Sequence, residues 1–136
     1  MKLSKELPPN WSLLNTAFPN AKEFKAIFAY GDTIYSPFGQ EVSADLYVHE
    51  SVHSKQQGDN PDAWWSKYIQ NKNFRLKEET EAYAVQYKFV KERMSGEWSE
   101  YLLDQVSLAL SSDLYNLGIS YGEARSKIRN FAKGLE

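Results

Sequence analysis

The sequence predicts an α+β fold in which a small antiparallel β-sheet packs on a mostly helical body. Residues 24–30 alternate as a strand does, and a Gly31-Asp32 turn leads into a second β-rich run, Thr33-Ile34-Tyr35-Ser36. From Val42 onward the apolar residues recur at spacings of three and four, the period of a helix. Beyond Gly58, further helical patterns follow, separated by caps and stops. The 136 residues suit one domain, 1–136, with a modest core.

Residues 1–22 are weakly patterned, with Pro8-Pro9 and Phe18-Pro19-Asn20 as punctuation and room for a short helical turn between them. Trp11, Leu13, Leu14 and Phe18 are expected to cover an edge of the core. Gly at the first central position of Gly31-Asp32 suits a type II′ hairpin. Pro37 ends the second strand or places it on an edge, so residues 33–38 are the expected edge strand.

A helix is predicted over 44–57, with Ser43 as N-cap, Asp45 in the first turn and Gly58 as the stop. Val42, Leu46, His49 and His53 share one face, which reads as apolar on the histidine side. Asn60-Pro61 starts another helix, and Asn71-Lys72-Asn73 breaks it. Longer patterns run over about 75–94 and 98–110. Ser120-Tyr121-Gly122-Glu123 is a capping box for the last helix. Trp64-Trp65 is read as packing this helical body, with a place in a cleft as the alternative.

Composition narrows the function. Four Trp, nine Tyr and seven Phe predict an aromatic core and cleft. A net charge of −2 with mixed signs gives no basic face for nucleic acid. The first residues carry no signal-peptide pattern, and no run is long enough to span a membrane, so a cytoplasmic protein is expected. With no cysteine there is no disulfide framework and no thiolate metal site.

The chain's only two histidines stand in His49-Glu50-Ser51-Val52-His53, an H-E-x-x-H motif. Two random histidines would fall so, with Glu after the first, on the order of 0.1% of the time. On a helix the two share a face and can grip one ion, and a His-plus-carboxylate set suits catalytic zinc. Glu50 projects about 100° away, out of ligand position but able to reach a water there. A third ligand must come from a carboxylate or a water, and Glu78, Glu79 and Glu81 are the candidates. Glu79 is preferred because Ala82, three residues on, would let two helices approach on its face. Tyr83 would then stand beside the ligand, within reach of a metal histidine.

His49-Glu50-Ser51-Val52-His53 followed by Glu79-Thr80-Glu81-Ala82 resembles the H-E-x-x-H … E-x-x-A pattern of gluzincin metallopeptidases. It is most similar to small, compact members often encoded by phages and prophages, over roughly residues 24–90. The resemblance implies a zincin-like fold, one Zn2+ per chain held by His49, His53 and Glu79, and Glu50 as general base in peptide-bond hydrolysis. It also implies a peptide or protein substrate paired along an edge strand, here 33–38. Many gluzincins have Asp where this chain has Tyr83, and many stabilise the oxyanion with a separate His or Tyr. Here Tyr83, Tyr115 and Arg75 are the candidates for that role. Metzincins are excluded because Gln56 and Asp59 occupy their remaining motif positions, and peptide deformylases because they need a cysteine ligand. The alternatives from other classes are a metal-binding phage accessory or assembly protein without turnover, and a metal-dependent regulator acting on one partner.

Overall fold

The local rules of hairpins and helix caps account for most element boundaries in the computed structural model, which describes residues 1–135. β2 (Phe28–Tyr30) and β3 (Thr33–Tyr35) pair antiparallel, with Tyr30 opposite Thr33 across the two-residue turn. Gly31 has φ +60° while Asp32 stays at negative φ, the combination a type II′ turn needs. The first strand starts at Phe28 rather than at 24, because residues 20–26 coil through turns closed by Phe24 N–H to Asn20 O and Ala26 N–H to Ala21 O.

Two expectations about the sheet are corrected. It is mixed, not purely antiparallel: β1 (Lys2–Ser4) lies parallel to β3, and the order is β1-β3-β2. Residues 33–38 therefore do not supply an edge, since β3 is paired on both sides; the edges are β1 and β2. A three-residue strand is too short to carry a measurable period, which is why Lys2-Leu3-Ser4 gave no signal.

The body is helical. α1 (Trp11–Ala17) is followed after the hairpin by α2 (Ala44–Gln57), α3 (Pro61–Gln70), α4 (Lys72–Arg93), α5 (Gly96–Leu110) and α6 (Tyr121–Gly134). Gly58 ends α2 at φ +59°. Asn60 caps α3 by accepting from Ala63 N–H, with Pro61 in the first turn. Asn71 closes α3 and caps α4 through Phe74 N–H, so the expected break at 71–73 is a single shared residue. Ser120 caps α6 through Glu123 N–H.

Two apolar clusters fill the interior. One joins α4, α5 and α6 around Tyr87, Leu103, Leu110 and Ile128. The other is aromatic and joins Leu14, Phe18, Phe28, Trp64, Trp65 and Tyr68. Buried Arg75 bridges them: Nη1 donates to Tyr68 O at 2.8 Å, Nε to Tyr115 O at 2.8 Å and Nη2 to Asn116 O at 3.3 Å. Among the described residues no helix is long and apolar enough to cross a membrane.

Replacing Arg75 by Met keeps the stem and strips these carbonyls of their donor. The expected cost is about 3 kcal/mol, read as a lower urea midpoint at unchanged slope.

Candidate metal centre

The sequence reads the histidine side of α2 as apolar, and the structure corrects this. The buried residues of α2 are all polar: His49, Glu50, His53 and Gln57. Leu46, Val48 and Val52 are only half-buried. The reason lies in the partner. α4 turns Glu79, Ala82, Tyr83 and Gln86 inward at i, i+3, i+4 and i+7, all of them buried, so a polar row meets a polar row. Ala82, fully buried, is the small residue on that face.

Three donor atoms converge at this contact. Glu79 Oε1 lies 3.1 Å from His49 Nε2 and 3.1 Å from His53 Nε2, and the two Nε2 atoms are 3.2 Å apart. Ligands about 2.0–2.1 Å from a tetrahedral zinc stand roughly 3.3 Å from one another, so this nearly equilateral triangle has the dimensions of three corners of such a site. Donor atoms of His49, Glu50 and His53 also lie within 4.8 Å of one another, a buried group that could hold a metal ion. Glu79 is the nearer carboxylate to both histidines, because Glu50 Oε2 approaches His49 Nε2 only to 3.6 Å.

The outer nitrogens decide what the inner ones can do. Gln86 Nε2 donates to Asp45 Oδ2, which turns its Oε1 to His49 Nδ1 at 3.0 Å. Gln56 Nε2 donates to Glu81 Oε1 and Glu78 O, which turns its Oε1 to His53 Nδ1 at 2.8 Å. A carbonyl oxygen only accepts, so each Nδ1 must carry the proton and each Nε2 of a neutral imidazole is a lone pair. Two lone pairs and a carboxylate oxygen thus face one another in a buried site. That is a repulsive arrangement for the protein alone and an attractive one around a cation.

The same crowding sets the titration behaviour of His53, Glu79 and Glu50. Burial by itself would lower His53, but the charge of Glu79 and its hydrogen bond outweigh this and raise it to about 9. Burial would raise Glu79, yet His53 and His49 hold it well below the usual carboxylate range. Glu50 moves the other way. Burial raises it, Glu79 adds to the rise, and the histidines and a hydrogen bond from Ala29 N–H only partly oppose it.

The three acidic candidates on α4 are now distinct. Glu79 points into the triangle, and its second oxygen accepts a short hydrogen bond from Tyr68. Glu78 accepts from Trp64 Nε1, and Glu81 accepts from Gln56. Of the supports of the ligands, the sequence offers Gln56, which beside Gln57 reads either as a polar support or as a helix end; Tyr68 and Gln86 were not singled out by sequence reasoning. The only available signal was Gln86 standing seven residues after Glu79, on one face. Trp64 lies tilted against His53 at 5.2 Å between ring centroids, and buried Trp65 donates to Ala29 O, so the pair packs the body and borders the site together.

Of the oxyanion candidates, Arg75 is removed: its donors are spent on main-chain carbonyls of α3 and the α5–α6 link. Tyr83 and Tyr115 remain, hydroxyl to hydroxyl, and burial followed by the charge of Glu79 raises both, keeping them protonated. Both line a cavity of about 450 Å³ that opens onto His49, Glu50, His53 and Glu79. Comparison of the chain with family models, curated proteins and solved structures gave no match.

Replacing Gln86 by Leu frees the His49 ring and is expected to weaken metal binding about 10- to 100-fold, measured by competition with a chromophoric chelator. The pH dependence has a definite sign. His53 is raised above its usual 6.5, so its protonated pairing with Glu79 stabilises the metal-free fold fully below pH 6.5 and loses that effect as pH rises through about 9. A metal must displace this proton. Its apparent Kd is therefore expected to rise about tenfold per pH unit as pH falls from 9 towards 7; a Kd flat across that window would contradict the assignment.

Proposed function

We propose that the protein is a zinc-dependent metallopeptidase of the gluzincin type, with a zincin-like fold, one zinc per chain on His49, His53 and Glu79, and Glu50 as general base. The observation that carries this reading is the 3.1–3.2 Å triangle of lone-pair donors with a second buried carboxylate, Glu50, beside it. Three protein ligands and one open position are the pattern of catalytic zinc rather than structural zinc. Zinc there would supply Lewis acidity and bring the pKa of a coordinated water towards 7.

The rest is the work of the chain's own groups. Glu50, steadied by Ala29 N–H, takes the proton of the attacking water and delivers it to the leaving amine. Tyr83 and Tyr115 have two hydroxyl protons and one mutual hydrogen bond, so one proton is left to donate to a developing oxyanion. An extended peptide would pair with the main chain just ahead of β2, at Ile27, and not with β2 itself. Ala29 already spends its main-chain groups there on Glu50, Gln57 and Trp65, and the edge continues at Ile27, which lines the cavity.

The test uses untagged protein purified without added metal. About one zinc per chain is expected, with Glu79→Ala binding it more than about 100-fold more weakly. Glu50→Gln should keep the zinc and lose about 10²- to 10⁴-fold in kcat on a cleaved peptide. Zinc bound by both proteins with no peptide cleaved by either would favour the accessory or regulatory metalloprotein instead.

A further inference from the structure

The second half of α2 meets the outer edge of β2 through side chains, where a sheet would use another strand. An antiparallel pair bonds its partner at alternate residues, so every second residue keeps its N–H and C=O for the other side. In β2 that residue is Ala29, and the turn residue Gly31 repeats its direction. Four main-chain groups therefore need partners, because leaving them buried and unpaired is costly.

α2 supplies all four from one face. Glu50, Ser54 and Gln57 stand at i, i+4 and i+7. Glu50 accepts from Ala29 N–H. Gln57 Nε2 donates to Ala29 O at 2.7 Å, and its Oε1 accepts from Gly31 N–H at 2.8 Å. Ser54 Oγ donates to Gly31 O at 2.7 Å. Gln57 thus bonds the carbonyl of one residue and the N–H two residues on, as one residue of a parallel neighbouring strand would. Only a carboxamide can do both, and at 5% exposure both ends of this one are used. Trp65 shares the load with a second donor to Ala29 O at 3.0 Å.

No hydrogen bond of Ser54 or Gln57 goes to His49, His53 or Glu79; theirs go to the hairpin. The ligand triangle is set between α2 and α4, whereas Glu50 is set between α2 and β2. A slip of the hairpin along α2 would therefore take Ala29 N–H away from Glu50 and leave the triangle intact. We infer that Gln57, with Ser54, is a positioning residue for hydrolysis: it locks the β2–β3 hairpin in register on α2, and the hairpin in turn holds the Glu50 carboxylate beside His49. This role rests on the peptidase reading of the same site and adds the residues on which its general base depends.

Gln57→Leu removes both side-chain bonds at similar volume, and Ser54→Ala removes one. In metal-free protein, hydrogen exchange at the Ala29 amide, resolved by NMR, is expected to quicken about tenfold in Gln57→Leu and by less in Ser54→Ala. In zinc-loaded protein, Gln57→Leu should lower kcat about 10- to 100-fold on a fluorogenic peptide that the unaltered chain cuts, with KM and zinc affinity held within about threefold. In a Glu50→Gln background the same substitution should cost almost nothing more, since the group it positions is already gone. Unchanged exchange at Ala29, unchanged kcat, or an equal loss in the Glu50→Gln background each overturns the role. If Gln57→Leu does not fold, Ser54→Ala is judged by the same three measurements. Zinc-loaded, unaltered protein that cuts no peptide fails the peptidase reading itself, and the positioning role falls with it.

Discussion

The contact between α2 and α4 is made by polar atoms that repel unless something positive lies between them. His49 Nε2, His53 Nε2 and Glu79 Oε1 meet at 3.1–3.2 Å in a fully buried place. Nearly everything around them holds that convergence in position. Gln86 and Gln56 fix the two tautomers, Tyr68 holds the far oxygen of Glu79, and Ala82 leaves the helices room to meet. Each of these supports is itself supported. Asp45 and Glu81 orient the two glutamines, and Arg75 ties down the Tyr68 carbonyl. Such chains of hydrogen bonds keep ligands aimed when the attraction between the ligands themselves is weak.

This design couples binding to folding. A hydrophobic α2–α4 contact would be stable by itself; a polar one depends on its counter-charge. A proton on His53, whose pKa is raised to about 9, supplies that counter-charge, and a metal ion held by the proposed ligands would have to compete with it. The apolar stability is located elsewhere, in the α4–α5–α6 cluster and in the aromatic cluster under α3. The site can therefore be strained electrostatically while the scaffold stays packed.

The short sheet has a positioning role. β3 is paired on both sides and gives β2 a fixed place, and β2 offers its outer edge to α2 and α3. There Gln57 and Trp65 anchor the Ala29 carbonyl, and the Ala29 amide anchors Glu50. The carboxylate read as the general base is thus held by the same strand that borders the cavity. Across the cavity α5 contributes an apolar wall, so the polar and apolar halves of the site come from different helices.

Local rules made much of this legible in the sequence. The Gly31-Asp32 turn, the Gly58 stop and the Asn60 and Ser120 caps each depend on one or two neighbouring residues, and all stand where the sequence places them. The i, i+4 spacing of His49 and His53 is equally local, so their shared direction follows from helix geometry alone. What depends on residues far apart in sequence was not legible. β1 joins the sheet through a pairing between residues about thirty apart, and a three-residue strand has no period to announce it. Glu78, Glu79 and Glu81 are alike in composition, and only the rotation of α4 against α2 and α3 separates Glu79, which meets both histidines, from its two neighbours. The same rotation recruited Gln86 and Tyr68. The sequence by itself determined the elements and the chemistry of the motif, because these rest on contacts within a turn or two. Tertiary structure alone decided which carboxylate meets the two histidines and which wall faces them, because those depend on how separate helices pack.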